Sequence, residues 1–249
     1  MSRTITFMAL GCVSLLLTMT GCGPNEKKRA ELAEQKRIEC LDKFCPGDVE
    51  PPRDFAKEVA LKLHGQWFIG PNYYYSTGMN GAAFYWPSKK NREDVPQEER
   101  RVPYENTIEI FFTGRQRWPD PKSIAPWEGR GWVLRFEELQ KEGFRIERQH
   151  LRPNLERVRF FDVLGQPYRL EYFLATKEKL PLGANVPGIS CEALTSNESS
   201  NTFAGCTGGM FWQEDVYADF RLHAKQAKDW PEIYQEITRV LALLKKAKP

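Results

Sequence analysis

The chain has 249 residues, a formal net charge of +3 and 28% charged residues. The charges are interspersed along the chain, which argues against a basic face for nucleic acid. The length allows one large domain or two small ones, and 41% hydrophobic residues are enough for a sizeable core.

Arg3 precedes an apolar run from Ile5 to Met19. That run is shorter than the roughly 20 apolar residues a membrane span needs. A positive charge, a short apolar stretch and small residues before a cut site describe a secretory signal. The site reads Met19-Thr20-Gly21-Cys22 and resembles the lipobox of bacterial lipoproteins, with Met19 where leucine is usual. The resemblance implies that residues 1–21 are removed and that Cys22 is lipidated. The chain is then held at the periplasmic face of a bacterial membrane, and Gly23 after the cysteine is compatible with the outer one. Two or more acyl chains make a stable tether, whereas one holds only marginally.

Setting aside Cys12 in the signal and Cys22 at the cut leaves Cys40, Cys45, Cys191 and Cys206. An even count in an exported chain points to two disulfides. Four cysteines allow three connectivities, of which the local pairs Cys40–Cys45 and Cys191–Cys206 are favoured. A four-cysteine zinc site is the competing reading, but the spacings lack the usual two-residue knuckles.

Residues 22–50 read as a charged, lipidated spacer leading into a short helix with sparse apolar positions (Leu32, Ile38, Leu41), stopped near Cys45-Pro46-Gly47. Residues 51–249 read as a single α+β domain. In 51–64, Phe55, Val59 and Leu63 stand at i, i+4 and i+8 after Asp54 as N-cap, which predicts a helix closed by His64 and Gly65. GQWFIG and AAFYW then look like strands around a Tyr- and Gly-rich turn. Residues 88–106 and 114–130 read as loops, with a strand between them over Thr107–Thr113. Further strands are predicted at Trp132–Phe136, Phe144–Gln149, Arg157–Val163 and Tyr168–Ala175, the last two joined by a hairpin through Leu164-Gly165-Gln166-Pro167. The arginine-rich segment 145–159 reads as a solvated strand face. After a long polar connection, Met210–Trp212 and Val216–Leu222 look like strands. The chain ends on an amphipathic helix with Asp229 as cap, Ile233, Ile237, Val240, Leu241 and Leu244 as its apolar face, and Lys245, Lys246 and Lys248 at its negative end. Helices at both ends and strands between them define an α+β fold with a largely antiparallel sheet.

No catalytic constellation emerges. His64, His150 and His223 form no H-x-x-x-H or H-x-H pair, and the chain carries neither G-x-S-x-G nor a phosphate-cradling glycine motif. The carboxylate pairs Glu137/Glu138 and Glu214/Asp215 are adjacent, and neighbours on a strand face opposite ways. No catalytic residue, metal or cofactor is assigned.

Two stretches stand out. Gly65–Pro87 holds Trp67, Phe68, Tyr73, Tyr74, Tyr75, Phe84, Tyr85 and Trp86 among glycines and asparagines, a composition suited to recognition or to stacking on a sugar. The connection 176–209 is long enough to suggest function and carries the Cys191–Cys206 staple around a Ser/Asn-rich tip. The candidate partner-binding residues are therefore Tyr73, Tyr74, Tyr75, Met79 and Asn80 in the first, and Asn197, Asn201 and Phe203 in the second.

The stretch CPGDVEPPRDFAKEVALKLHGQWFIGPNYYYSTGMNGAAFYWPSK resembles segments of lipoproteins encoded beside type VI secretion lipase effectors. Those relatives are periplasmic immunity proteins. The resemblance implies a non-enzymatic inhibitor whose partners are a toxic lipase or phospholipase and, through its lipid, the membrane. An envelope glycan- or peptidoglycan-binding lipoprotein is the alternative, and a hydrolase with carboxylates scattered along the chain is a third reading.

Overall fold

The computed structural model describes residues 24–91, 93–96, 105–114, 131–182, 185–192 and 205–248. The signal segment, Cys22, Asn197, Asn201 and Phe203 lie outside the described residues. The chain divides into two units, the first ending at Arg37 and the second running from Ile38.

The first unit contributes most of α1 (Pro24–Glu39), longer than the short helix expected. Proline at its first position, Glu26 in its first turn and Lys36 and Arg37 in its last suit both helix ends. It has no apolar stripe: Leu32 is 53% exposed. Arg37 bonds Glu34 at 2.6 and 2.7 Å, an i,i+3 pair that supports an otherwise polar helix.

The second unit begins before Pro51. Asp42 is buried and its carboxylate accepts from the backbone N–H of His64 at 2.8 Å and of Gly114 at 3.1 Å. The Cys40–Cys45 disulfide closes the start of this segment. Next comes β1 (Glu58–Leu63), where a helix was predicted. Positions i, i+4 and i+8 are all even steps, so they lie on one face of a strand as well as of a helix. Leu61 decides between them: it is buried with Leu63, two residues apart, as strand periodicity requires. His64 and Gly65, with φ of 49° and 74°, make the two-residue turn into β2 (Gln66–Pro71). Positive φ at both positions is what a type I′ hairpin demands.

The short β3 (Tyr75–Ser76) and β4 (Gly81–Tyr85) follow, then β5 (Thr107–Gly114). Trp132–Phe136, predicted as a strand, belongs to helix α2 (Gly131–Lys141). Its β-formers are outweighed by the Glu-Glu-Leu-Gln-Lys run after them, and the buried Phe136 and Leu139 lie three apart with exposed Glu137 and Glu138 between. Strands β6 (Arg145–Arg152), β7 (Leu155–Phe161) and β8 (Leu170–Ala175) form successive antiparallel pairs, of which the β7–β8 hairpin was the one predicted.

The connection 176–209 is not structureless. It contains β9 (Gly188–Glu192), and β10 (Gly205–Gln213) has already begun by its end. Hence Cys191–Cys206 is a cross-strand staple between directly paired residues, both 0% exposed, and the Ser/Asn-rich tip between them lies outside the described residues. Strand β11 (Val216–His223) buries Val216, Ala218, Phe220 and Leu222 on one face, as its alternation predicts.

A 3-10 turn (Ala224–Asp229) leads into α3 (Trp230–Leu241). The helix ends earlier than predicted, because Lys245 and Lys246 form β12, which pairs with Ile69 and Phe68 of β2. Asp229 stands at the N-cap position but makes no side-chain cap; its carboxylate instead accepts from Trp86 Nε1 at 3.1 Å.

The fold is α+β and its sheets are antiparallel. A three-stranded sheet has the order β1-β2-β12, and a nine-stranded sheet runs β3-β4-β5-β11-β10-β9-β8-β7-β6. Strand β8 shows how two cores share the large sheet. Phe173 and Ala175 belong to the main core with α3 and the small sheet, while Tyr172 and Leu174 join Phe136, Leu139, Val158 and Phe160 beneath α2. Trp230, fully buried, donates from Nε1 to the Pro187 carbonyl at 3.1 Å and so ties α3 to the segment before β9.

Candidate recognition surface

The aromatic turn between β2 and β3 separates its three consecutive tyrosines. Tyr73 is 38% exposed and Tyr75 is 3% exposed. Tyr74 lies between these extremes, half-buried. Tyr75 points inward, stacks near Phe112 with centroids 6.4 Å apart, and donates its hydroxyl to the Val240 carbonyl at 2.5 Å. Burial raises its phenol pKa further above the usual range. Tyr75, among the predicted partner-binding side chains, is placed in the core, where the inward face of β3 closes over α3.

Tyr74 is held from several sides. Its hydroxyl accepts from Arg239 at 2.8 Å and donates to the Lys89 carbonyl at 3.3 Å, and the Arg239 guanidinium carbon lies 5.4 Å from its ring centroid. Arg239 is itself fixed by Glu236, which is 4% exposed and accepts at 2.6 and 2.9 Å. The Glu236 hydrogen bonds raise the Arg239 pKa. Tyr73 packs its ring 4.9 Å from that of Tyr74. Below them, Asn72 anchors the turn by bonding the Ala56 carbonyl through its side chain at 3.0 Å and the Lys57 carbonyl through its N–H at 2.9 Å. The result is an exposed ring on a second ring that cannot easily move. Aromatic area presented this way is ordered before any partner arrives.

Met79 is half-buried beside this turn. Asn80 is a structural residue: its φ of 47° turns the chain, its side-chain amide donates to the Phe112 carbonyl at 3.3 Å, and its own carbonyl accepts from Phe112 N–H at 3.0 Å. Among the described residues, the structure thus brings Tyr73 and Tyr74 to one surface and commits Tyr75 and Asn80 to the fold. The residues that lock Tyr74, namely Arg239, Glu236 and Lys89, were not visible in the sequence. Arg239 stands 165 positions away from Tyr74, and no local pattern links them.

A second exposed group lies elsewhere on this unit. Val163 and Leu164, at the β7–β8 turn, are 87% and 80% exposed. Two aliphatic residues directly before a turn glycine are a visible signal, although the sequence places Val163 at the end of a strand and only Leu164 in the connector, whereas β7 ends at Phe161.

Asp219, on β11, has its carboxyl raised to about 7 by burial, partly offset by Arg221. His64 occupies the hairpin turn rather than a helix end, with Nε2 3.8 Å from an Asp215 oxygen. His223 caps the 3-10 turn by accepting from Lys225 N–H at 3.2 Å, and burial lowers its pKa. Glu138, on a helix rather than a strand, bonds Arg135 at 2.9 Å. Among the described residues there is no group of three or more His, Cys, Asp or Glu able to hold a metal ion. No helix among them is long and apolar enough to cross a membrane.

No protein-family model matches the chain, and no curated protein matches it. Among solved structures it is similar to an immunity protein of the Stenotrophomonas maltophilia type IV secretion system, at 15% identity and a TM-score of 0.49, over 81% of this chain and 100% of that one. A likeness of this degree falls short of a shared fold, so the function is read from this chain's own residues.

Proposed function

We propose that this chain is a membrane-anchored periplasmic immunity protein that binds a secreted lipase or phospholipase toxin and blocks it. The observation that carries the reading is the Tyr73–Tyr74 pair, an exposed ring seated on one locked by Arg239 and Glu236. Rigid aromatic anchors of this kind are typical of tight protein interfaces. The pair falls inside the 45-residue stretch that resembles immunity lipoproteins. Two disulfides suit an oxidising compartment, consistent with export and with a tether at Cys22.

The test is genetic and then biochemical. Deleting the gene should sensitise cells to siblings that deliver a lipase effector, and restoring the chain should protect them. The purified chain should then bind that effector and suppress its turnover. Indifference of the deletion strain to every delivered lipase effector would sink the proposal.

A further inference from the structure

The β7–β8 turn presents two aliphatic side chains to water on a hydrogen-bonded backbone. The Asp162 carboxylate accepts from Leu164 N–H at 2.9 Å and from Gln166 N–H at 2.8 Å. Asp162 N–H donates to the Gln166 carbonyl at 2.9 Å, and Gly165 N–H donates to the Asp162 carbonyl at 3.0 Å. Gly165 adopts a φ of 76°, which closes the turn. Below it, Phe161 bridges Pro167, and Tyr168 N–H donates to the Phe160 carbonyl at 2.7 Å.

The turn therefore needs neither Val163 nor Leu164 for its own conformation. A connector of this kind would ordinarily carry polar residues. Here it carries aliphatic side chains at 87% and 80% exposure. Their exposure leaves the apolar contact area of both side chains unused by the fold. Beside the turn, Arg145 and Arg159 flank the Phe161 ring at 5.0 and 5.4 Å. Arg159 is paired with Glu147, whereas Arg145 reaches the same carboxylate only at 4.0 Å and stays 66% exposed.

We infer that the Val163–Leu164 turn is a second recognition element, which inserts into an apolar pocket on the toxin rimmed by acidic side chains that meet Arg145. The assignment rests on the immunity reading for the identity of the partner. A protein pocket fits better than a bilayer because the carboxylates of Asp162, in the turn, and of Glu147, 4.0 Å from Arg145, weaken attraction to anionic lipid. The backbone is ordered in advance, so binding this element costs little conformational entropy.

The experiment uses the exported chain carrying Cys22→Ser, so that no acyl chain contributes, and the lipase effector identified by the deletion test. Val163→Ser and Leu164→Ser together should weaken effector binding by about 100-fold, the loss expected when two buried aliphatic side chains are removed from a contact. The melting temperature should stay unchanged, because neither side chain packs in the folded protein. Arg145→Glu should weaken binding further and reduce its salt sensitivity. If the double variant binds the effector as tightly as the parent chain, the turn is not part of the interface, while the immunity reading stands. If the parent chain binds no effector, both fail. If phosphatidylglycerol vesicles capture the parent chain but not the double variant, the turn is a membrane element and the inference is overturned.

Discussion

Asp219 offers the sharpest test of how the sheet is packed. Its carboxyl lies on β11 between Tyr217 and Arg221 and is held at about 7, against an ordinary value of 3.8, because burial penalises its charged form. At about 1.4 kcal/mol per pH unit, a rise of about three units sets a ceiling of about 4 kcal/mol. The side chain keeps part of its surface in water, so the measurable effect is about 1–2 kcal/mol. The sign follows from proton counting. Between about pH 4 and pH 7 the folded state binds this proton more tightly than the unfolded one, so the contribution to stability falls as pH rises through that window. Asp219→Asn is neutral throughout. It should match the parent near pH 4 and be more stable by about 1–2 kcal/mol at pH 8. Urea unfolding of both proteins from pH 4 to pH 8 measures the difference, and an unchanged m-value would show that the unfolded state is the same. Subtracting the two profiles removes groups such as Glu232, whose lowered pKa acts in the opposite direction. Parallel profiles, or a variant less stable at pH 8, would refute the claim that burial governs this carboxyl.

Tyr75→Phe removes the bond to the Val240 carbonyl and should cost about 1–2 kcal/mol in chemical denaturation, whereas Tyr73→Ala should leave stability unchanged and weaken effector binding. Trp230→Ala should cost about 3–5 kcal/mol, the usual range for deleting a buried aromatic, read as a loss of melting temperature. Replacing Cys191 and Cys206 together by serine should cost about 3 kcal/mol, because the bridge closes a loop between residues 15 apart; parent protein melted under reducing conditions provides the comparison. Incubation with purified sacculi should retain none of the chain, and retention dependent on Tyr73 would favour the glycan reading instead.

Much of the architecture was legible because hydrophobic periodicity reports burial directly. Strand β5 alternates in sequence and in burial, and β11 does so from Ala218 onward, whereas β8 alternates in sequence but is buried on both faces, one for each core. The failures have definite causes. At 55–63 the apolar spacing satisfied two periods at once, and the weight given to Phe55 obscured Leu61; Phe55 proves to be 70% exposed with Arg53 stacked on its ring at 4.0 Å. At 131–141 Trp132 and Val133 favour a strand, but the helicity of the segment is set by the residues after Phe136. At the C-terminus, lysines that suit a helix end are equally at home on a short edge strand such as β12.

The candidate site was harder to read, and the three tyrosines show why. Composition marks Tyr73-Tyr74-Tyr75 as one recognition patch, but a backbone entering β3 must send successive side chains to different surroundings. Which of them turns inward depends on where the strand begins, and that is fixed by pairing: Tyr75 lies opposite Ala82, whose small side chain leaves room for a phenol to reach α3. Gly70 is the complementary concession, since a Cβ there would come within 2.8 Å of both the Tyr75 ring and Leu244. Replacing Gly70 with alanine should therefore push Tyr75 off Val240 and loosen the Tyr74 lock above it. That variant should lose effector affinity without any change to an exposed residue, a result detectable as weaker binding together with a lower melting temperature. Unchanged affinity in a destabilised Gly70→Ala protein would mean that the Tyr73–Tyr74 surface does not depend on the core beneath it.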